Sequence, residues 1–236
     1  MLSGFNPLEE LLEIYDPSRD LSFNNVKFRP GAKRTTPFGI DITTPQYTPL
    51  RIHDSIDSAW STTTGYDIYN PFTCIGTEFL DDYISFGSML ILHTSYGFSI
   101  RIAHMNYEEL TDKFKEALDK NKPFKAKALI GKCGNKGLSF GKHAHVTVVS
   151  DGIKETVLND ILKEKYGKSY NKSYTTKQIN VFIAEAGLSN EEGWKLYNKE
   201  VEKRNIYSIN NLVLYRKDYL TGEDKYFYSS MALFGM

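Results

Sequence analysis

His143 and His145 stand one residue apart in FGKHAHVTVVSDG (140–152), and they are two of only five histidines in the 236-residue chain. The β-branched run around them reads as a strand, where side chains two apart share a face. Two neighbouring imidazoles repel when both are protonated, so the pair points to a shared metal or to divided acid–base work. A catalytic zinc needs about three protein ligands and one open position for water. The ion lowers the pKa of that water towards ~7, and a nearby base takes the remaining proton. The three other histidines are His53 in RIHDSID (51–57), His93 in ILHTSY (91–96) and His104 at the end of SIRIAHM (99–105).

The elements that must position these residues are mostly strands. From Phe28 to about Ser150 short runs of period two alternate with Gly, Pro and Thr clusters, the pattern of an all-β core. FGSMLILHTSYGFSIRIAHM (86–105) reads as strand, turn, strand, with the bend at Ser95-Tyr96-Gly97. One helix is expected within the core, over 107–122, where Leu110, Phe114 and Leu118 recur at three-to-four spacing. Before the core, PLEELLEIY (7–15) places Leu8, Leu11, Leu12 and Tyr15 on one helical face behind Pro7. After Gly152 come charged amphipathic helices, one opened by a Ser189–Glu192 capping box, with Lys- and Tyr-rich connectors between them. The chain closes on a hairpin turning at Thr221-Gly222-Glu223. The expected organisation is an N-terminal helical segment (1–25), a β-domain (26–150) and a helical and hairpin extension (151–236) suited to docking or assembly.

Three segments in order resemble the lysostaphin/LytM-type zinc endopeptidases, which cut peptide cross-links in bacterial peptidoglycan. They are FGIDITTPQYTPL (38–50), FGSMLILHTSYGFSIRIAHM (86–105) and KPFKAKALIGKCGNKGLSFGKHAHVTV (122–148). The resemblance implies a mainly β fold with α-helical extensions around an antiparallel LytM-like core of the duplicated-hybrid-motif type. It also implies roles: Asp41 and His145 as zinc ligands, His104 and His143 as the catalytic pair that assists the water and stabilises the oxyanion. The family places its first zinc histidine four positions before that aspartate, where this chain has Pro37. A pyrrolidine nitrogen has no lone pair to give a metal, so on this reading zinc is absent or weakly bound. His53 with Asp57 has the required spacing by count but falls where the family carries its next strand, so His53 is kept as the substitute ligand.

Two functional readings follow. One is a peptidase-fold protein with a compromised zinc site, structural or wall-binding, as a phage tail component; the alternative is an active zinc-dependent peptidoglycan endopeptidase using a substitute ligand. The expected partners are peptidoglycan cross-links and virion proteins met through the C-terminal extension. The 29 basic and 29 acidic residues balance, with no basic stripe of the kind that marks nucleic-acid binding. No stretch approaches the ~20 apolar residues of a membrane span. MLSGFNPLEELLEIYDPSRD lacks the basic start and apolar core of a signal peptide, so the expectation is a chain made in the cytoplasm that reaches the wall in a virion. Duller roles are expected elsewhere: a turn or core histidine at His93, packing for Trp60 and Trp194, and a structural thiol at Cys133, with a Cys74–Cys133 bridge not implied. The glycines of GNKGLSFG (134–141) are read as serving tight turns, not a phosphate cradle.

Overall fold

The computed structural model describes residues 33–42, 49–59, 63, 65–94, 96–151 and 157–234. The helix expected over 7–15 lies outside the described residues, as does Trp60. The architecture is mainly antiparallel β with helices, as the sequence patterning requires. The strands are β1 (Lys33–Thr36), β2 (Gly39–Asp41), β3 (Arg51–His53), β4 (Ile56–Ala59), β5 (Asp67–Tyr69), β6 (Gly76–Tyr83), β7 (Gly87–His93), β8 (Phe98–Ala103), β9 (Leu129–Lys132), β10 (Ala144–Ser150), β11 (Ile206–Ile209), β12 (Val213–Lys217) and β13 (Asp224–Tyr228). The helices are α1 (Asp112–Asp119), α2 (Val157–Tyr166), α3 (Thr176–Glu185), α4 (Asn190–Lys203) and α5 (Ser230–Phe234).

A nine-stranded sheet runs β11-β12-β13-β10-β8-β7-β6, with β4 also paired to β10 and β1 paired to β4. Strand β10 is its centre and is buried along its whole length. That explains a sequence of nearly continuous Val and Thr there: a strand covered on both faces has no solvent side on which to alternate. Its residues still divide by face. Val146 and Val148 pack with Leu90, Ile100 and Ile102 and with Phe114 of α1 and Leu158 and Leu162 of α2. Val149 packs on the other side with Ile52, Ile56, Leu214 and Phe227, under Ile179 and Ile183 of α3 and Trp194 of α4. Two apolar layers thus clamp the sheet, each burying side chains worth about 1.5–3 kcal/mol apiece.

The C-terminal segment is part of this sheet. β12 and β13 form the expected hairpin, turning through Gly222 at φ 73, and β13 adds to the edge of β10 at Val148 and Val149. The boundary expected at residue 150 therefore falls within one continuous sheet, and the hairpin covers β10 where β4 leaves off.

Two helices differ from expectation. The pattern over 107–122 divides into a short 3-10 turn at Tyr107–Glu109 and α1. Leu110 bridges to Gly131 and the Thr111 amide donates to the Ile130 carbonyl, so these residues are extended; Thr111 then caps α1 by accepting from the Phe114 amide. In the region expected to be connector, α3 starts at a full capping box between Thr175 and Gln178 and buries Ile179 and Ile183. That Thr-x-x-Gln signal was present in the sequence. The Ser189–Glu192 box opens α4 as expected. Cys74 and Cys133 are free and buried, and burial pushes the Cys133 thiol up to about 11, the state of an inert structural thiol.

Gly87 and Gly137 mark where the glycine-rich loop docks on the sheet. They face each other backbone to backbone, at φ 68 and φ 76, and a Cβ on either would overlap the other's main chain. Gly134 meets the His104 carbonyl in the same way. These glycines serve close approach as much as turning. Gly137→Val should lower unfolding stability by roughly 2–4 kcal/mol, from backbone strain plus overpacking. Urea unfolding measures it; a loss below about 0.5 kcal/mol would mean the two segments do not touch.

Candidate metal centre

Strand register assembles the site. On one edge of β10, His145 lies directly opposite Asp57 of β4; on the other it lies opposite Ala103, the last residue of β8, so His104 follows at the strand end. His143 sits just before β10, its amide donating to the Gly134 carbonyl. His53 ends β3, opposite Gly39 of β2. Segments far apart in sequence thus deliver four histidines and one aspartate to the same place.

Two groups of donors result, sharing His145: His53, Asp57 and His145, and His104, His143 and His145. Within each group the ligand atoms lie within 4.8 Å of one another. His145 Nδ1 donates to Asp57 Oδ1 at 2.7 Å, and His53 Nε2 lies 3.7 Å from Asp57 Oδ2. The rings of His53 and His145 are 5.0 Å apart; His104 is 4.7 Å from His143 and 5.6 Å from His145. His143 Nε2 lies 3.7 Å from Asp57 Oδ1.

Backbone carbonyls fix the rings. His53 Nδ1 donates to the Pro37 carbonyl at 3.0 Å, which places the proton on Nδ1 and leaves Nε2 with a free lone pair towards Asp57. His104 Nδ1 donates to the Lys136 carbonyl at 2.8 Å and lies 3.1 Å from the Phe86 carbonyl. His143 Nδ1 donates to the Gly141 carbonyl at 2.8 Å. His104 is held at φ 66, a left-handed conformation rare for a residue with a Cβ. Its amide donates to Ser88 and its carbonyl accepts from Lys136, so the docked glycine-rich loop maintains it.

The protonation states suit a cation. Burial is the main force that lowers the His53 pKa to about 4, and His145 and Arg51 add to it against the opposing pull of Asp57. Burial, then His145 and His143, likewise take His104 to about 4. Asp57 is pushed up by burial, but His53 and His145 outweigh this and hold its carboxyl well below the usual carboxylate range. Near neutral pH the first group therefore offers a carboxylate and a neutral His53, with His145 beside them. Two imidazole nitrogens and one carboxylate oxygen form a donor set for zinc. Nε2 of His145 is also buried with no hydrogen-bond partner among the described residues, a polar atom that a bound ligand would satisfy.

Neither a protein-family model nor a curated protein sequence matches the chain. Solved structures to which the chain is similar include M23 and lysostaphin-type peptidase domains and the SpoIIQ–SpoIIIAH complex. A mutant of the catalytic domain of the prophage-encoded M23 protein EnpA from Enterococcus faecalis is 20% identical, covering 56% of this chain and 91% of that one, with a TM-score of 0.41. A zinc containing peptidase from Vibrio cholerae is 19% identical over 55% of this chain and 37% of that one, with a TM-score of 0.40. The catalytic domain of lysostaphin from Staphylococcus simulans is 17% identical over 56% and 86%, with a TM-score of 0.33.

Of the residues singled out from sequence, His104, His143 and His145 come together, and His53 joins them through Asp57. Asp41 belongs to neither donor group. It is buried opposite Arg51 in the β2–β3 pair and accepts from Arg51 Nε at 2.7 Å. Pro37 contributes through its carbonyl, on His53, and not as a stand-in for a ligand side chain. His93 donates to Glu78 across the β6–β7 pair at 2.6 Å and is in neither group, in keeping with its duller reading. Sequence reasoning missed the aromatic neighbours: Phe86 lies 5.4 Å from His145, and Tyr219, from the C-terminal hairpin, stacks on Phe86 at 5.8 Å.

Proposed function

We propose that this chain is a zinc-dependent endopeptidase acting on the peptide cross-links of peptidoglycan, with His53, Asp57 and His145 as the metal ligands. The observation that carries the reading is the convergence of those three buried donors next to a second pair of imidazoles, His104 and His143. The sequence resemblance supports the choice of substrate. On this reading the site is complete: His53 and Asp57 supply the His-x3-Asp pair, and Pro37 is no defect.

Bound zinc would acidify a water and polarise the scissile carbonyl. The protein's own work is to arrange the groups around that chemistry. His53 is presented through Nε2 because Pro37 holds the Nδ1 proton, and Asp57 stays ionised between His53 and His145. His104 and His143 each have Nδ1 committed to a carbonyl, which leaves Nε2 of both as a lone pair able to take a proton and, once protonated, to donate to the developing oxyanion or return the proton. The rings of Phe86 and Tyr219 stack on one another beside His145 and give the site an aromatic flank.

Metal analysis of the purified protein tests this. One equivalent of zinc is expected, with release of new amino termini from purified cross-linked peptidoglycan that a chelator abolishes and added zinc restores. Protein free of metal and unable to retain added zinc at micromolar concentration would refute the reading. No helix among the described residues is long and apolar enough to cross a membrane. A phage-tail setting, expected from the sequence, rests on the resemblance; mass spectrometry of purified virions from the source genome tests it.

A further inference from the structure

The two metal-ligating segments are joined by a two-residue turn, Asp54-Ser55, between His53 of β3 and the start of β4. The Asp54 carboxylate is buried and points to the C-terminal hairpin. Arg216 of β12, itself fully buried, donates Nη2 to Asp54 Oδ2, and its Nη1 donates to the Lys217 carbonyl at 2.6 Å. The guanidinium lies between two rings, 4.2 Å from the centroid of Tyr219 and 4.1 Å from that of Phe227. Tyr219 adds a hydrogen bond from its hydroxyl to Asp54 Oδ2 at 3.1 Å, and Ser55 Oγ donates to Asp54 Oδ1 at 2.9 Å. A second buried pair ties the same hairpin to β8: Arg101 donates both Nη atoms to Asp218, each at 2.7 Å.

We propose that Arg216 is a positioning residue for the metal centre: clamped between Tyr219 and Phe227, it pins Asp54 and thereby the turn that fixes His53 relative to Asp57. A planar guanidinium is suited to this, because it can stack on two rings while directing donors in its own plane. The inference rests on His53, Asp57 and His145 being the ligands. Its consequence is that the C-terminal hairpin is a component of the metal site, so that residues 33–151 alone do not form a competent one.

The test uses the full chain and zinc itself. Zinc affinity is read by competition with a chromophoric chelator, site geometry by the visible absorption of the cobalt(II)-substituted protein, and folding by circular dichroism and the thermal midpoint without metal. Arg216→Lys keeps the charge and loses the planar stack; it should bind zinc about 10–100-fold more weakly, the usual effect of losing support behind a ligand, with altered cobalt bands. The double variant Asp54→Asn/Arg216→Met removes both charges, so no buried ion is left uncompensated. Its metal-free midpoint should exceed that of Arg216→Met alone while its zinc affinity stays low. If Arg216→Lys does not fold, the double variant decides. Wild-type zinc affinity and cobalt spectrum in either folded variant would overturn the proposal, as would failure of the double variant to fold, which would make the pair a requirement of the fold alone. His53→Ala separates the two levels: zinc binding indifferent to His53 refutes the ligand assignment, whereas binding that depends on His53 but not on Arg216 refutes only the positioning role.

Discussion

His53→Ala should strip the purified protein of its zinc and of its peptidase activity, whereas Asp41→Asn should leave one equivalent of zinc in place. His53 is the ring whose Nδ1 is held by the Pro37 carbonyl and whose Nε2 is directed to Asp57. Loss of an outer-sphere partner costs a metal site about 10–100-fold in affinity, and loss of a direct ligand more. Asp41 is engaged with Arg51 on the neighbouring strand and lies in neither donor group. Pro37→His, which on the sequence reading would restore a missing ligand, should not raise zinc affinity, because any residue at that position supplies the same carbonyl. Metal content by mass spectrometry and chelator competition check all three variants. Zinc retained by His53→Ala and lost by Asp41→Asn would reverse the assignment.

His104→Asn should leave zinc bound but reduce kcat about 10²–10⁴-fold, the range for removing a positioned acid–base group. Asparagine is the informative substitution because it tolerates the left-handed backbone that His104 occupies at φ 66. Alanine would mix backbone strain with lost chemistry. The proton on Nδ1, held by the Lys136 carbonyl, leaves Nε2 a lone pair on a ring packed against His143 and His145; it can receive a proton there and, once protonated, donate to an oxyanion. Release of amino termini from cross-linked peptides gives the rate, and metal analysis shows that the ion is still present. A variant with wild-type turnover would remove His104 from the catalytic pair and make it a structural residue of the loop.

Much of the local structure was legible without coordinates. Period-two runs gave an antiparallel β core, the Ser189–Glu192 box gave the start of α4, and Thr-Gly-Glu gave the final hairpin, since each depends on residues within a few positions of one another. The shared face of His143 and His145 follows from strand periodicity alone, and His104 joins them in the structure. What spacing left open was which aspartate accompanies them. Asp41 in FGIDI and Asp57 in RIHDSID are both aspartates on short strands, and the His-x3-Asp count favoured one while the resemblance favoured the other. Register between distant strands decides it: β4 pairs with β10 so that Asp57 faces His145, while β2 pairs with β3 so that Asp41 faces Arg51. The C-terminal hairpin is a similar case. Its turn is local and readable, but its place against β10, with Arg216 reaching Asp54 across 162 residues, comes from packing two apolar layers on one sheet. A chain's neighbours in sequence fix conformation; its partners across a sheet are chosen by the burial of whole faces, and the two donor groups sit where those choices meet.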